Sequence, residues 1–119
     1  MSWKSLSRSA AKNRSQAATF AALGDTTRLS IVANLAHGRS RSISQLTHGT
    51  RLTRQAITKH LRVLETAGIV RGTRTGRESL FTLDPTPLEE MRAYLGFVSK
   101  QWDQALARLK SFVEDSGRG

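Results

Sequence analysis

Apolar positions along this chain fall into stretches of helical spacing, separated by polar and glycine-containing breaks. Ala17, Phe20 and Ala21 predict the inward stripe of a short helix from Gln16 to Leu23, ended by Gly24-Asp25. Asp25 is placed to cap the next helix, Thr26 to His37, with Leu29, Val32, Leu35 and Ala36 inward and Gly38 at its stop. After a basic loop, Gly38 to Arg41, the spacing of Ser42 and Gln45 is that of a capping box opening a short helix to about His48. Gly49 to Leu52 then forms a turn. Thr53 caps a helix that ends near Gly68.

That last helix divides into two arcs at about 100° per residue. Ala56, Ile57, Leu61, Val63, Leu64 and Ala67 lie on one arc, and Arg54, Gln55, Thr58, Lys59 and Arg62 on the other. Spacing then switches to alternation. Ile69 to Arg74 and Glu78 to Leu83 predict two strands around Thr75-Gly76-Arg77, with Val70, Phe81 and Leu83 inward and Arg71, Arg74 and Arg77 outward. Asp84 to Pro87 is a linker, and Thr86-Pro87-Leu88-Glu89 has the spacing of a second capping box. Beyond it, Leu88, Met91, Leu95, Val98, Trp102, Ala105, Leu109 and Phe112 alternate steps of three and four, a heptad seam widened by Tyr94, Phe97, Leu106 and Val113. The remaining core is small for so long a stripe. Leu88, Met91, Leu95, Val98, Trp102, Leu106, Leu109 and Phe112 are therefore read as a dimer interface.

The predicted fold class is mainly α with a β-hairpin wing, a winged helix-turn-helix. Residues 1–14 are expected to be a basic, flexible arm, 15–84 the DNA-binding core, and 85–119 the dimerisation segment. Charge sharpens this division. The chain of 119 residues carries a net charge of +10. Residues 1–77 hold 14 Lys and Arg against two acids, Asp25 and Glu65, whereas residues 78–119 hold five against seven acids. A basic half favours a polyanionic partner, nucleic acid before membrane. No apolar run approaches the roughly 20 residues of a membrane span. The absence of cysteine excludes disulfides, thiolate metal sites and cysteine nucleophiles. Paired carboxylates occur only at Glu89-Glu90 and Glu114-Asp115, and no Gly-rich phosphate loop follows a strand, so no catalytic residues are assigned. No cofactor is implied, and the expected compartment is the cytoplasm.

Arg54, Gln55, Thr58 and Lys59, with the cap Thr53, are the candidates for base edges and phosphates in a major groove, and Arg62 for a phosphate one turn later. Arg74 and Arg77 flank the wing tip, where a guanidinium can enter a minor groove. Ser42, Ser44, Arg51, His60 and Arg71 are weaker candidates for the DNA backbone, with capping equally good for both serines. His60 rotates onto the apolar arc, which favours a packed histidine, and Arg28 is read as an intramolecular ion pair.

Phe20-Ala21-Ala22-Leu23-Gly24-Asp25-Thr26-Thr27-Arg28-Leu29 resembles the opening of the ArsR/SmtB family of winged helix-turn-helix regulators. Thr58-Lys59-His60-Leu61, then Leu64, then Ala67-Gly68-Ile69-Val70, is similar to that family's Ser-x-His-Leu, Leu and Ala-Gly-Leu-Val signature. The resemblance spans roughly residues 15–113 and implies a homodimeric repressor on a palindromic operator. Founding members release DNA on binding a metal. Their cysteine-bearing segment corresponds here to Ser42-Ile43-Ser44-Gln45-Leu46, and the C-terminal helix has no histidine, so no metal site is assigned. The Trp102, Leu106 and Leu109 pattern resembles a metal-independent branch, and the residues do not identify an inducer. The alternative is a non-specific basic protein, architectural or RNA-binding, that uses charge without base readout.

Overall fold

The computed structural model describes residues 3–117, with side chains from residue 11 onward. The order is α1 (Trp3–Leu23), α2 (Thr26–Leu35), β1 (Arg41–Ser42), α3 (Ile43–Thr47), α4 (Arg54–Thr66), β2 (Val70–Thr75), β3 (Glu78–Leu83) and α5 (Thr86–Ser116). The chain divides into two compact units, residues 1–88 and 89–119.

Caps set the helix boundaries. Asp25 accepts from the Arg28 N–H at 3.0 Å and starts α2. Ser42 and Gln45 form the expected capping box, with both reciprocal bonds present. α4 ends in a paired backbone motif: the Ile69 N–H bonds to the Leu64 carbonyl and the Gly68 N–H to that of Glu65. Gly68 has φ +77°, which a side chain rarely adopts, and Leu64 and Ile69 are both fully buried across the motif. This geometry turns the chain from α4 directly into the wing.

The sheet has the order β1-β3-β2, all antiparallel. Val70 pairs with Leu83, Gly72 with Phe81 and Thr75 with Glu78. Gly76, at φ +64°, supplies the positive dihedral of the tight hairpin turn. The core joins Ala22, Ile31, Leu35, Leu46, Ile57, Leu61, Leu64, Ile69, Val70 and Phe81, with Leu83 packed partly against it.

Several expectations are corrected. α1 begins at Trp3 rather than Gln16, so residues 3–14 of the expected flexible arm are helical; residues 1–2 lie outside the described residues. Its buried face is Gln16, Thr19 and Ala22, not Ala17, Phe20 and Ala21. Thr19 tolerates burial because its hydroxyl donates to the Ser15 carbonyl. α2 turns Ile31 and Leu35 inward and leaves Leu29 half exposed, as α4 leaves Val63. β1 pairs with β3 where only a loop is expected. Asp84, not Thr86, caps the entry to α5: its Oδ1 accepts from the Thr86 N–H at 3.0 Å.

Candidate nucleic-acid interface

The 13 residues of α4 present the outer arc as one surface. Thr53 is the N-cap, its hydroxyl oxygen accepting from the Ala56 N–H at 3.1 Å. No acid lies in the first turn, so the positive end of the helix is unopposed. Ile57, Leu61 and Leu64 anchor the inner side in the core. That anchoring fixes the rotation of the helix and so turns Arg54, Gln55, Lys59 and Arg62 to solvent.

Arg54, Gln55, Thr58, Lys59 and Arg62 line one open groove of about 470 Å³, with Ile43 of α3 on its other side. Charged forks and an amide along a shallow groove match the hydrogen-bonding groups of DNA phosphates and base edges. The Thr58 hydroxyl donates to the Arg54 carbonyl at 2.7 Å, so what it retains for a partner is acceptor capacity and a methyl group. Ile43 is not among the site residues that the sequence predicts. An apolar residue directly after a predicted cap was the available signal.

A second cleft separates α4 from the wing, with Thr58, Arg62 and Glu65 on one side and Gly72, Thr73, Arg74 and Ser79 on the other. Arg74 and Arg77 flank the turn, and Arg74 Nε donates to the Gly76 carbonyl at 3.5 Å. Further back, Arg71 is held by an ion pair to Asp84 at 2.8 Å. The Asp84 carboxyl lies below its ordinary range, chiefly because its oxygens accept from the Thr86 N–H and hydroxyl, with Arg71 adding to the effect.

The weaker candidates separate. Ser42 is buried and its oxygen is spent on the Gln45 N–H, so its role is capping and not phosphate contact. Ser44 and Arg51 are exposed. His60 lies off the groove, with Nδ1 3.2 Å from Arg28 Nη1 and 3.7 Å from Asp25 Oδ2. Arg28 makes intramolecular contacts, but not the expected ion pair. Instead its Nε donates to the Ala22 carbonyl and Nη2 to that of Ala21, capping the end of α1. The Arg28 backbone N–H is also the main cause of the lowered Asp25 carboxyl pKa.

Along α5 no residue is buried. Leu95, Trp102, Leu106, Leu109 and Phe112 are exposed, and Leu88, Met91 and Val98 are half-buried. Among the described residues, no group of three or more His, Asp or Glu is placed to hold a metal ion, and no helix is long and apolar enough to cross a membrane.

Comparison with known proteins agrees with this geometry. Residues 23–73 match a family described as a helix-turn-helix domain. The HTH-type transcriptional regulator Rv2034 of Mycobacterium tuberculosis is 34% identical over 104 residues, covering 87% of this chain and 94% of that protein. An ArsR-like transcriptional regulator from Rhodococcus sp. RHA1 superposes with a TM-score of 0.73 at 33% identity, covering 84% of this chain and 93% of that one. At 22% identity, the homodimeric winged helix-turn-helix DNA-binding domain of Mb0332 from Mycobacterium bovis shares the fold, with a TM-score of 0.63 over 79% of this chain and 86% of that one. Because one regulator of this kind is matched over nearly its whole length and another over nearly its whole fold, the chain belongs to the ArsR family of winged helix-turn-helix transcriptional regulators.

Proposed function

We propose that this protein is a sequence-specific, homodimeric repressor that reads a palindromic operator. The observation that carries the reading is the α4 groove, where Arg54, Gln55, Thr58, Lys59 and Arg62 converge without a carboxylate lining it. In this reading, α4 enters the major groove, Arg54 or Lys59 pairs with guanine, and Gln55 with adenine. Thr53 orders the leading end of the helix. Arg74 and Arg77 follow the adjacent minor groove, while Ser44 and Arg51 approach the backbone. Two copies place their reading helices about 34 Å apart along one face of the duplex, or a multiple of that.

The heptad seam supplies the second copy. Residues 15–84 act as the DNA-binding core and 85–119 as the dimerisation segment. The exposed Leu95, Trp102, Leu106, Leu109 and Phe112 side chains support that assignment, since water-exposed apolar rows of this size mark association surfaces. The protein acts without catalysis or a bound metal, in the cytoplasm, where a bacterial regulator meets its DNA.

The test is fluorescence anisotropy with DNA from the protein's own promoter and a scrambled duplex of equal composition, across a salt series. Promoter binding tighter by about a thousandfold or more supports sequence reading. Equal, salt-sensitive binding to both, repeated with further candidate sites, favours the non-specific basic reading that the net charge of +10 also permits.

A further inference from the structure

Glu65 is one of only two acids in residues 1–77. It lines the cleft between α4 and the wing, beside Arg62 and Arg74. A carboxylate there repels phosphate, so it weakens the attraction of the surface around it. Its contacts are structural. β2 is an edge strand, paired with β3 on one side only. On that edge the Gly72 N–H donates to Glu65 Oε2 at 3.1 Å.

The contact depends on residue 72 having no side chain. A Cβ there would lie 2.9 Å from Glu65 Oε2 and 3.0 Å from Phe81 Cε1. Phe81, the register partner of Gly72, is buried in the core and has little room to retreat. The tie sits midway along β2, and Arg74 and Arg77 lie beyond it toward the tip. At about 3.3 Å per residue, a hairpin swinging by about 10° at Gly72 moves its tip by about 2 Å. A displacement of that size breaks a hydrogen bond.

We propose that Glu65 is a positioning residue for the wing: its carboxylate, bonded to the Gly72 N–H, sets the angle at which Arg74 and Arg77 and the α4 side chains meet one duplex. The proposal rests on the operator reading above.

The test uses the full chain and the promoter duplex, with Glu65→Ala and Glu65→Gln made in the native background and in one carrying Arg74→Ala and Arg77→Ala. Circular dichroism melts establish that each variant is folded. By charge alone, both substitutions tighten DNA binding equally. The tie predicts a split: Glu65→Ala binds about fivefold more weakly, whereas Glu65→Gln, whose amide oxygen still accepts from Gly72, binds at least as tightly as the native protein. Without the two wing arginines, Glu65→Ala has no further effect. Gly72→Ala, which expels the carboxylate but keeps its charge, reproduces the loss independently. Binding by Glu65→Ala as tight as native, or an equal loss in the arginine-free background, overturns the proposal. If the native protein prefers neither the promoter duplex nor any further candidate site over scrambled DNA, the operator reading fails and this proposal falls with it. A native preference that Glu65→Ala retains at full affinity removes the positioning role alone.

Discussion

Among the described residues, ten apolar side chains are buried ahead of α5, whereas α5 itself buries none. In the first unit α4 and the sheet close around Leu61, Leu64, Ile69 and Val70, with Leu29 and Val63 left half exposed. The 31-residue α5, which begins at Thr86, leaves Trp102 63% and Phe112 69% exposed. Helices in water draw most of their stability from packing an amphipathic face rather than from propensity. α5 carries its heptad seam with no residue buried. The contrast separates apolar stripes that close on one another from one that stays exposed, the surface proposed above as the dimer interface.

Four experiments can break or sharpen this contrast. Leu64→Ala, which empties a fully buried site, should lower unfolding stability by about 2–5 kcal/mol. Urea titrations at two protein concentrations should show the same loss, because the site is internal to one chain. Leu95→Asp or Trp102→Asp should instead act through association. A charge buried in an apolar seam costs about 3 kcal/mol or more, a weakening above about a hundredfold. Sedimentation should then show the 13.1 kDa single chain. Dimers persisting in both variants would show that the seam is not the interface.

The surface substitutions should leave both unfolding and assembly alone. Arg54→Ala and Lys59→Ala should each weaken operator binding by about 1–3 kcal/mol, with unchanged melting temperature. Unchanged affinity in both would remove α4 from its reading role. The smallest effect is on acid stability. Asp84 has a lowered folded-state pKa, first through the Thr86 hydrogen bonds. Its contribution is complete above the ordinary value of 3.8 and is lost as pH falls through the lower, folded value. Native melting temperature should therefore drop more steeply below about pH 4 than that of Asp84→Asn. Parallel curves would mean that Asp84 adds nothing in acid.

Legibility followed the strength of the local pattern. Apolar and polar residues segregate cleanly on α4, so its rotation and the grouping of Arg54, Gln55, Thr58, Lys59 and Arg62 could be read from spacing. Capping chemistry made Asp25, Ser42 and Thr53 legible as helix starts. α1 defeats the same method because Ala17, Ala21 and Ala22 are nearly interchangeable by hydropathy, and what distinguishes the inner face is the polar pair Gln16 and Thr19. β1 is two residues long and has no periodicity to detect. Arg71 with Asp84, His60 with Arg28, and Glu65 with Gly72 are partnerships between distant positions, set only once the elements pack.

The open edge of β2 has a consequence for solubility. A strand with one unpaired side is a template onto which another strand can add, the route to edge-to-edge polymers. β2 runs Val70-Arg71-Gly72-Thr73-Arg74-Thr75, with two arginines and no large apolar residue after the first position. Glu65 occupies the Gly72 N–H on that edge, removing one of its donors. The positive charge of the wing thus makes it a poor template for its own kind, so neutralising Arg71 and Arg74 together exposes the protein to aggregation.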